Sequence, residues 1–169
     1  MSTAPRLPNA MIAGYGAGGI AGGISAMVPS VLLLYFMTQV LALPVGLASL
    51  AILLPKAVII VFDPAIGRRS DQSRSRWGRR APFMAAGALI AATGFALLFG
   101  VPRLANDSAT FAAVTLAYLI AAMGWSVFSV PWTALPAEMT DLAATRARLL
   151  GTRMMLLFAG MIIGAAGAP

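Results

Sequence analysis

Apolar residues run in long blocks along this chain, and the charges are gathered between the blocks. No Asp, Glu, Lys or Arg occurs in 7–55, 81–102, 108–137 or 154–169. An uncharged apolar run of 18 or more residues reads as a membrane-spanning helix, because roughly 20 residues cross the hydrocarbon core. The first run is long enough for two spans. The last is slightly short, but Leu149 and Leu150 extend it. The pattern predicts an all-α integral membrane protein with about five transmembrane helices, near 9–40, 45–61, 82–101, 109–135 and 149–168. Pro44 suits a tight outer turn after the first helix. Asp63-Pro64 disfavours helix at Asp63 and is expected to end the second, leaving an inner loop at 63–81. Residues 102–106 form an outer turn, and Pro136 closes the fourth helix before a second inner loop at 136–148.

Composition agrees. Of 169 residues 60% are hydrophobic and 10% charged, against about a quarter charged in ordinary globular domains. Cys and His are absent, which removes disulfides, thiolate nucleophiles, His-based triads and Cys/His metal sites. The five carboxylates, Asp63, Asp71, Asp107, Glu138 and Asp141, fall at or beyond the ends of the predicted spans. Little remains for acid–base chemistry inside the membrane, so an enzyme is not expected.

The net charge of +7 could suggest nucleic acid. The arginines alternate with membrane spans and form no continuous basic face, so no such partner is expected. Cytoplasmic loops of membrane proteins are enriched in Lys and Arg. Arg6, the six arginines of 63–80, Arg146, Arg148 and Arg153 all fall on one side of the five-helix arrangement, and only Arg103 on the other. The N-terminus is therefore expected in the cytoplasm. Arg6 is a thin basic region and the apolar segment after it is too long for a cleavable signal.

Four features invite a functional reading. Gly14, Gly18 and Gly22 fall four apart, as do Gly19 and Gly23, a spacing that lets helix backbones approach in lipid. Packing is the plainer reading there; room for a solute is the other. Lys56 is the one charge inside a predicted span, where it costs about 2.5–3.5 kcal/mol unless it faces protein or water. It reads as lining a polar pathway, or as a snorkelling or internally paired lysine. Lys56 and Asp63 share a helix face two turns apart, too far to pair directly. In the fourth helix Trp125, Phe128 and Trp132 lie beside Ser126, Ser129 and Thr133, with Pro131 favouring a kink. Rings and hydroxyls on adjacent stripes suit a sugar-like ligand; helix packing with hydroxyls relieving the kink explains the same residues. Last, Gly67, Asp71, Arg76, Gly78, Arg79 and Arg80 could form a charged latch that favours one conformation. Fixing topology explains part of that charge without requiring the ordered spacing.

These residues resemble a family. Gly67-x-x-x-Asp71 followed by Gly78-Arg79-Arg80 resembles the loop between helices 2 and 3 of the major facilitator superfamily. The longer stretch 63–83 resembles its glycoside–pentoside–hexuronide:cation symporter branch, melibiose permease-like. Pro131-Trp132-x-Ala134-Leu135, Glu138-Met139-Thr140-Asp141 and Arg146-x-Arg148-Leu149 with Arg153 resemble the passage from helix 4 into helix 5 of the same branch. The resemblance implies twelve helices in two halves, a central solute site and alternating access. It makes this chain similar to an incomplete N-terminal six-helix half, with further C-terminal helices expected in a longer chain. It implies cation or proton coupling at Asp63, no cofactor beyond a coupling proton or sodium ion, and solute contact at Lys56 and Arg153; the stripe on the fourth helix adds Ser126, Ser129, Trp132 and Thr133 as solute candidates. The family's other acidic positions on helices 1, 2 and 4 match Gly23, Ile59 and Ser129, so its sodium site is not reproduced. The expected function is a secondary transporter of a sugar or glycoside-like solute in the cytoplasmic (inner) membrane. A non-transporting membrane scaffold, or a carrier of a lipid- or pigment-like amphiphile, is the alternative.

Overall fold

A computed structural model describes residues 7–166. Arg6 and the last residues of the helix expected at 149–168 lie outside them. All regular structure among the described residues is helical. Five helices are long and apolar enough to cross a membrane: α1 (Asn9–Val40), α2 (Val45–Gln72), α3 (Ala81–Gly100), α4 (Asp107–Met139) and α5 (Ala143–Ala166). The chain is an all-α integral membrane protein.

The helices outrun the expected boundaries at their inner ends. α2 continues past Asp63 to Gln72 and carries both Pro55 and Pro64 inside it. The last turn of carbonyls lacks intrahelical partners wherever a helix ends, so ending at Asp63 would save nothing there. Continuing through Pro64 forfeits one backbone bond, to the Ile60 carbonyl. The expected loop at 63–81 thus shrinks to 73–80. Likewise α4 runs through Pro131 and Pro136, and α5 starts at Ala143, so the expected loop at 136–148 shrinks to 140–142. Local caps set the starts. The Asn106 side chain accepts from the Ala109 N–H at 2.7 Å and opens α4 at Asp107. Pro82 sits in the first turn of α3, where its missing N–H costs nothing.

α1 is not regular. It is α-helical to Val28 and then π-helical over Pro29–Leu33 and Phe36–Val40. Pro29 has no N–H for the α pattern and crowds the turn before it, and a widened turn relieves both. Ala42 ends the helix at φ 50, a left-handed conformation in a residue with a Cβ, and Pro44 then opens α2.

The chain forms two compact units. In one, described residues up to Leu32 and from Thr133 onward, α1 packs on α5 through glycines. A Cβ on Gly19 would fall 2.6 Å from the Arg153 carbonyl oxygen, and one on Gly16 would fall 2.8 Å from Leu156 Cδ1. Gly23 and Gly160 leave no room for a Cβ either, whereas Gly14 faces open space. The packing face therefore includes Gly16, Gly19 and Gly23, and not Gly14.

The other unit is Leu33–Trp132. Its core joins Leu33, Met37 and Leu41 of the α1 end to Ala48 and Ala51 of α2, Leu98 of α3, and Val114, Ala117 and Tyr118 of α4. The Phe36 and Phe99 rings meet edge-on at 5.5 Å. α3 and α4 cross almost backbone to backbone. A Cβ on Gly87 would fall 2.7 Å from the Val127 carbonyl carbon, and one on Gly124 would fall 2.7 Å from the Ala91 Cα.

Candidate functional site

The α3–α4 crossing fixes which way α4 presents its polar residues. The backbones of Ala121, Gly124 and Phe128 lie against α3. Ser126 lies two residues from Gly124, about 200° around the helix, and so turns to the other side. It meets α2 there. Ser126 is 2% exposed, and its Oγ donates to Asp63 Oδ1. One turn further along both helices, Gly67 faces Val130. Asp63 and Gly67 thus run in step with Ser126 and Val130, each pair four apart.

Asp63 is half-buried and sits inside α2, one residue before Pro64. A hydroxyl donor to a carboxylate is a charge-assisted bond that restrains the side chain. Together the two side chains put three oxygens at one point between two helices. Among the described residues no cluster of three or more His, Cys, Asp or Glu could hold a metal ion. The arrangement suits a proton, or a monovalent cation whose remaining ligands come from water or backbone.

Lys56 lies two turns back on α2 and is exposed, beside the buried ring of Pro55. On α4 the aromatic residues form a ladder: Trp125 to Phe128 at 5.4 Å, and Phe128 stacked on Trp132 at 5.8 Å. Trp132 is only 2% exposed, while Trp125, Phe128 and Ser129 are half-buried. Trp132 therefore backs the ladder, and the two rings before it are the more accessible ones.

The remaining two solute candidates belong to the other unit. Thr133 is exposed on α4, and Arg153 is half-buried on α5, with its carbonyl against Gly19.

Arg80 is the centre of the loop before α3. Its Nη2 pairs with Asp71 Oδ1 at 3.0 Å, and its Nη1 donates to the Pro131 carbonyl oxygen at 3.2 Å. The Arg80 side chain is 11% exposed and that of Asp71 is 57% exposed. Arg79 Nη1 donates to the Asp71 carbonyl at 3.4 Å. Gly78 takes φ +95, a conformation that favours glycine. Gly67 shows no tight approach: a Cβ there would sit 3.6 Å from Val130 Cγ1, an ordinary contact. Arg76 also stands apart from Asp71, with its guanidinium 5.7 Å from the Trp77 ring centre.

Two relationships escaped sequence reasoning: the Ser126–Asp63 bond and the Arg80–Pro131 bond. The first had a signal. Ala117, Ala121 and Gly124 mark the α3-facing stripe of α4, which leaves Ser126 and Val130 for another helix. The second had none, because a backbone carbonyl carries no sequence signature. A separate cavity of about 400 Å³ is lined by Leu97, Val101, Leu104, Leu116 and Ile120 with small neighbours. It lacks the polar groups needed to orient a sugar.

Comparison with known proteins places the chain. Residues 14–169 match the family described as MFS/sugar transport protein. A Synechocystis protein named as an uncharacterized symporter is 36% identical over 96 residues, 57% of this chain and 18% of that protein. The inner membrane symporter YicJ of Escherichia coli is 31% identical over 107 residues, 63% of this chain and 23% of YicJ. YagG of the same organism, named provisionally as a glycoside/cation symporter, is 33% identical over 107 residues, again 63% of this chain and 23% of YagG. The matched stretch thus spans about a fifth of the length of these relatives. The family is one of transporters, not enzymes. With five membrane-spanning helices, both loop motifs and a match over nearly its whole length, the chain belongs to the glycoside–pentoside–hexuronide:cation symporter family of the major facilitator superfamily.

Proposed function

We propose that this chain is part of a secondary active transporter that moves a sugar or glycoside-like solute by alternating access, with a proton or monovalent cation coupled at Asp63. The observation that carries the reading is the Ser126–Asp63 bond: a half-buried carboxylate on a membrane-crossing helix, held by a hydroxyl from another helix. A carboxylate withdrawn from water between two helices is a candidate for ion or proton exchange. Binding a proton or cation there neutralises Asp63 and competes with Ser126 for its oxygens. Ion binding would in this way loosen the contact between α2 and α4. Ser126 acts here as a positioning residue for the coupling group.

Within Leu33–Trp132, Lys56 and Ser129 are the polar solute contacts in this reading; Thr133 and Arg153 are solute candidates of the other unit. Trp132 supports Trp125 and Phe128, whose rings face the C–H surface of the sugar. The Asp71–Arg80–Pro131 contacts serve as the latch of one conformation. The family description and the names of YicJ and YagG support a sugar-type cargo and an inner-membrane location. The arginine-rich loop supports a cytoplasmic N-terminus.

Uptake in proteoliposomes holding the full-length gene product tests this. Across a panel of sugars and glycosides, with imposed proton or sodium gradients, at least one solute should accumulate against its gradient. Asp63→Asn should abolish accumulation and leave solute exchange at equal concentrations. No uptake of any solute on the panel would sink the sugar assignment.

A further inference from the structure

The loop between α2 and α3 divides into two parts with different partners. Arg80, Arg79 and Asp71 face each other and α4. Ser75–Gly78 do something else. The Gly78 N–H donates to the Ser75 carbonyl at 3.1 Å, and the Trp77 N–H donates to Ser75 Oγ at 3.2 Å. With Gly78 at φ +95, these bonds close a tight turn that has Arg76 and Trp77 at its tip. Trp77 is 66% exposed. Among the described residues two other large apolar side chains outside the five helices are exposed, Leu104 at 39% and Leu142 at 42%. Trp77 is the largest and the most exposed of the three.

The surroundings of Trp77 are strongly positive. Residues 68–80 carry six arginines and one carboxylate, Asp71. Arg68, Arg69, Arg74 and Arg76 are all exposed. α3 enters its span at Ala81, four residues after Trp77, so the turn is held at the level where bilayer meets water. An indole has an apolar body and an N–H, which favours that level. Guanidinium groups bind phosphate oxygens in pairs and reach further along an anionic surface.

We infer that the Ser75–Gly78 turn is a lipid-docking element: Trp77 inserts at the interface of the leaflet it faces, and Arg74 and Arg76 bind the phosphates of anionic phospholipids. The Arg76–Trp77 stack holds the two groups side by side, so that one lipid meets both. Arg76 thereby serves the membrane and not the latch.

The test uses the full-length gene product in nanodiscs of phosphatidylcholine with or without phosphatidylglycerol, either lipid being brominated near the top of its chains. The fluorescence of Trp77 is the difference between wild type and Trp77→Phe, both checked for an unchanged unfolding temperature. The Trp77 signal should be quenched at least twofold more by brominated phosphatidylglycerol than by brominated phosphatidylcholine at equal mole fraction. Arg74→Gln with Arg76→Gln should erase that preference while interfacial quenching persists. Equal quenching by the two lipids in the wild type would overturn the anionic-headgroup site. Quenching by aqueous iodide alone, or protection from iodide and both lipids, would overturn docking to the bilayer altogether.

Discussion

Arg80 donates to the carbonyl oxygen of Pro131, 51 residues further along the chain, at 3.2 Å. The same guanidinium holds the Asp71 carboxylate at 3.0 Å. One largely shielded cation therefore ties the loop before α3 both to the inner end of α2 and to the proline turn of α4. The two bonds differ in strength. The ion pair has a half-exposed acid and is worth under about 1 kcal/mol. The bond to the carbonyl is made by a charged donor that is largely shielded from water, worth about 1.5–3 kcal/mol.

Asp71→Asn should accordingly change the conformational balance more than the stability. These 169 residues have no cysteine, so single cysteines introduced here into a cysteine-free full-length background report accessibility from either side. Labelling should shift between the two sides of the membrane in Asp71→Asn, with the unfolding temperature nearly unchanged. Arg80→Ala should shift both. Identical labelling in wild type and Asp71→Asn would end the latch reading.

Ser126→Ala removes the hydroxyl that restrains Asp63 and should destabilise the folded protein by about 1–3 kcal/mol. Ser126→Thr keeps the hydroxyl and should retain most of the ion-dependent uptake. If Ala and Thr behave alike in ion-driven uptake, Ser126 does not position the coupling carboxylate.

The α1–α5 contact predicts opposite outcomes for two glycines on one helix. A Cβ on Gly23 would collide with the α5 backbone around Leu157, Gly160 and Met161. Gly23→Ala should therefore cost about 1–3 kcal/mol. Gly14 has nothing within 4 Å, and Gly14→Ala should gain up to about 1 kcal/mol by lowering the freedom of the unfolded chain. Thermal unfolding in one detergent compares the two directly.

Ala42 carries the opposite strain. Its φ of 50 suits glycine, and a residue with a Cβ held there costs about 1–3 kcal/mol. Ala42→Gly should raise the unfolding temperature. An unchanged or lowered temperature would mean the outer turn relaxes without strain.

The five spans were legible because length and apolarity alone define them. The inner boundaries were not, because a proline signals an end only when stopping costs less than continuing. At Pro64 and Pro136 the helices run on, each giving up one backbone bond. The π-helical end of α1 was equally hidden: Pro29 marks a disturbance but not the form it takes. In the site, residue types were readable and partners were not. Ser126, Ser129 and Thr133 look like one hydroxyl stripe in sequence, yet Ser126 is committed to Asp63, Ser129 is half-buried in the same unit and Thr133 belongs to the other.

The glycine crossing of α3 and α4 has a mechanical consequence. With backbone against backbone there is no layer of side chains between the two helices to act as a bearing, so neither can slide or roll without a collision. They behave as one beam. The contacts of α2 with that beam at Ser126 and Pro131 are of another kind: a hydroxyl on a carboxylate, and a guanidinium that bridges a carboxylate and a carbonyl. Each of these releases by a rotation about side-chain bonds. Within Leu33–Trp132 the compliant joint is thus the inner part of α2, fastened at Asp63 and Asp71, while its outer part is locked in the core by Ala48 and Ala51.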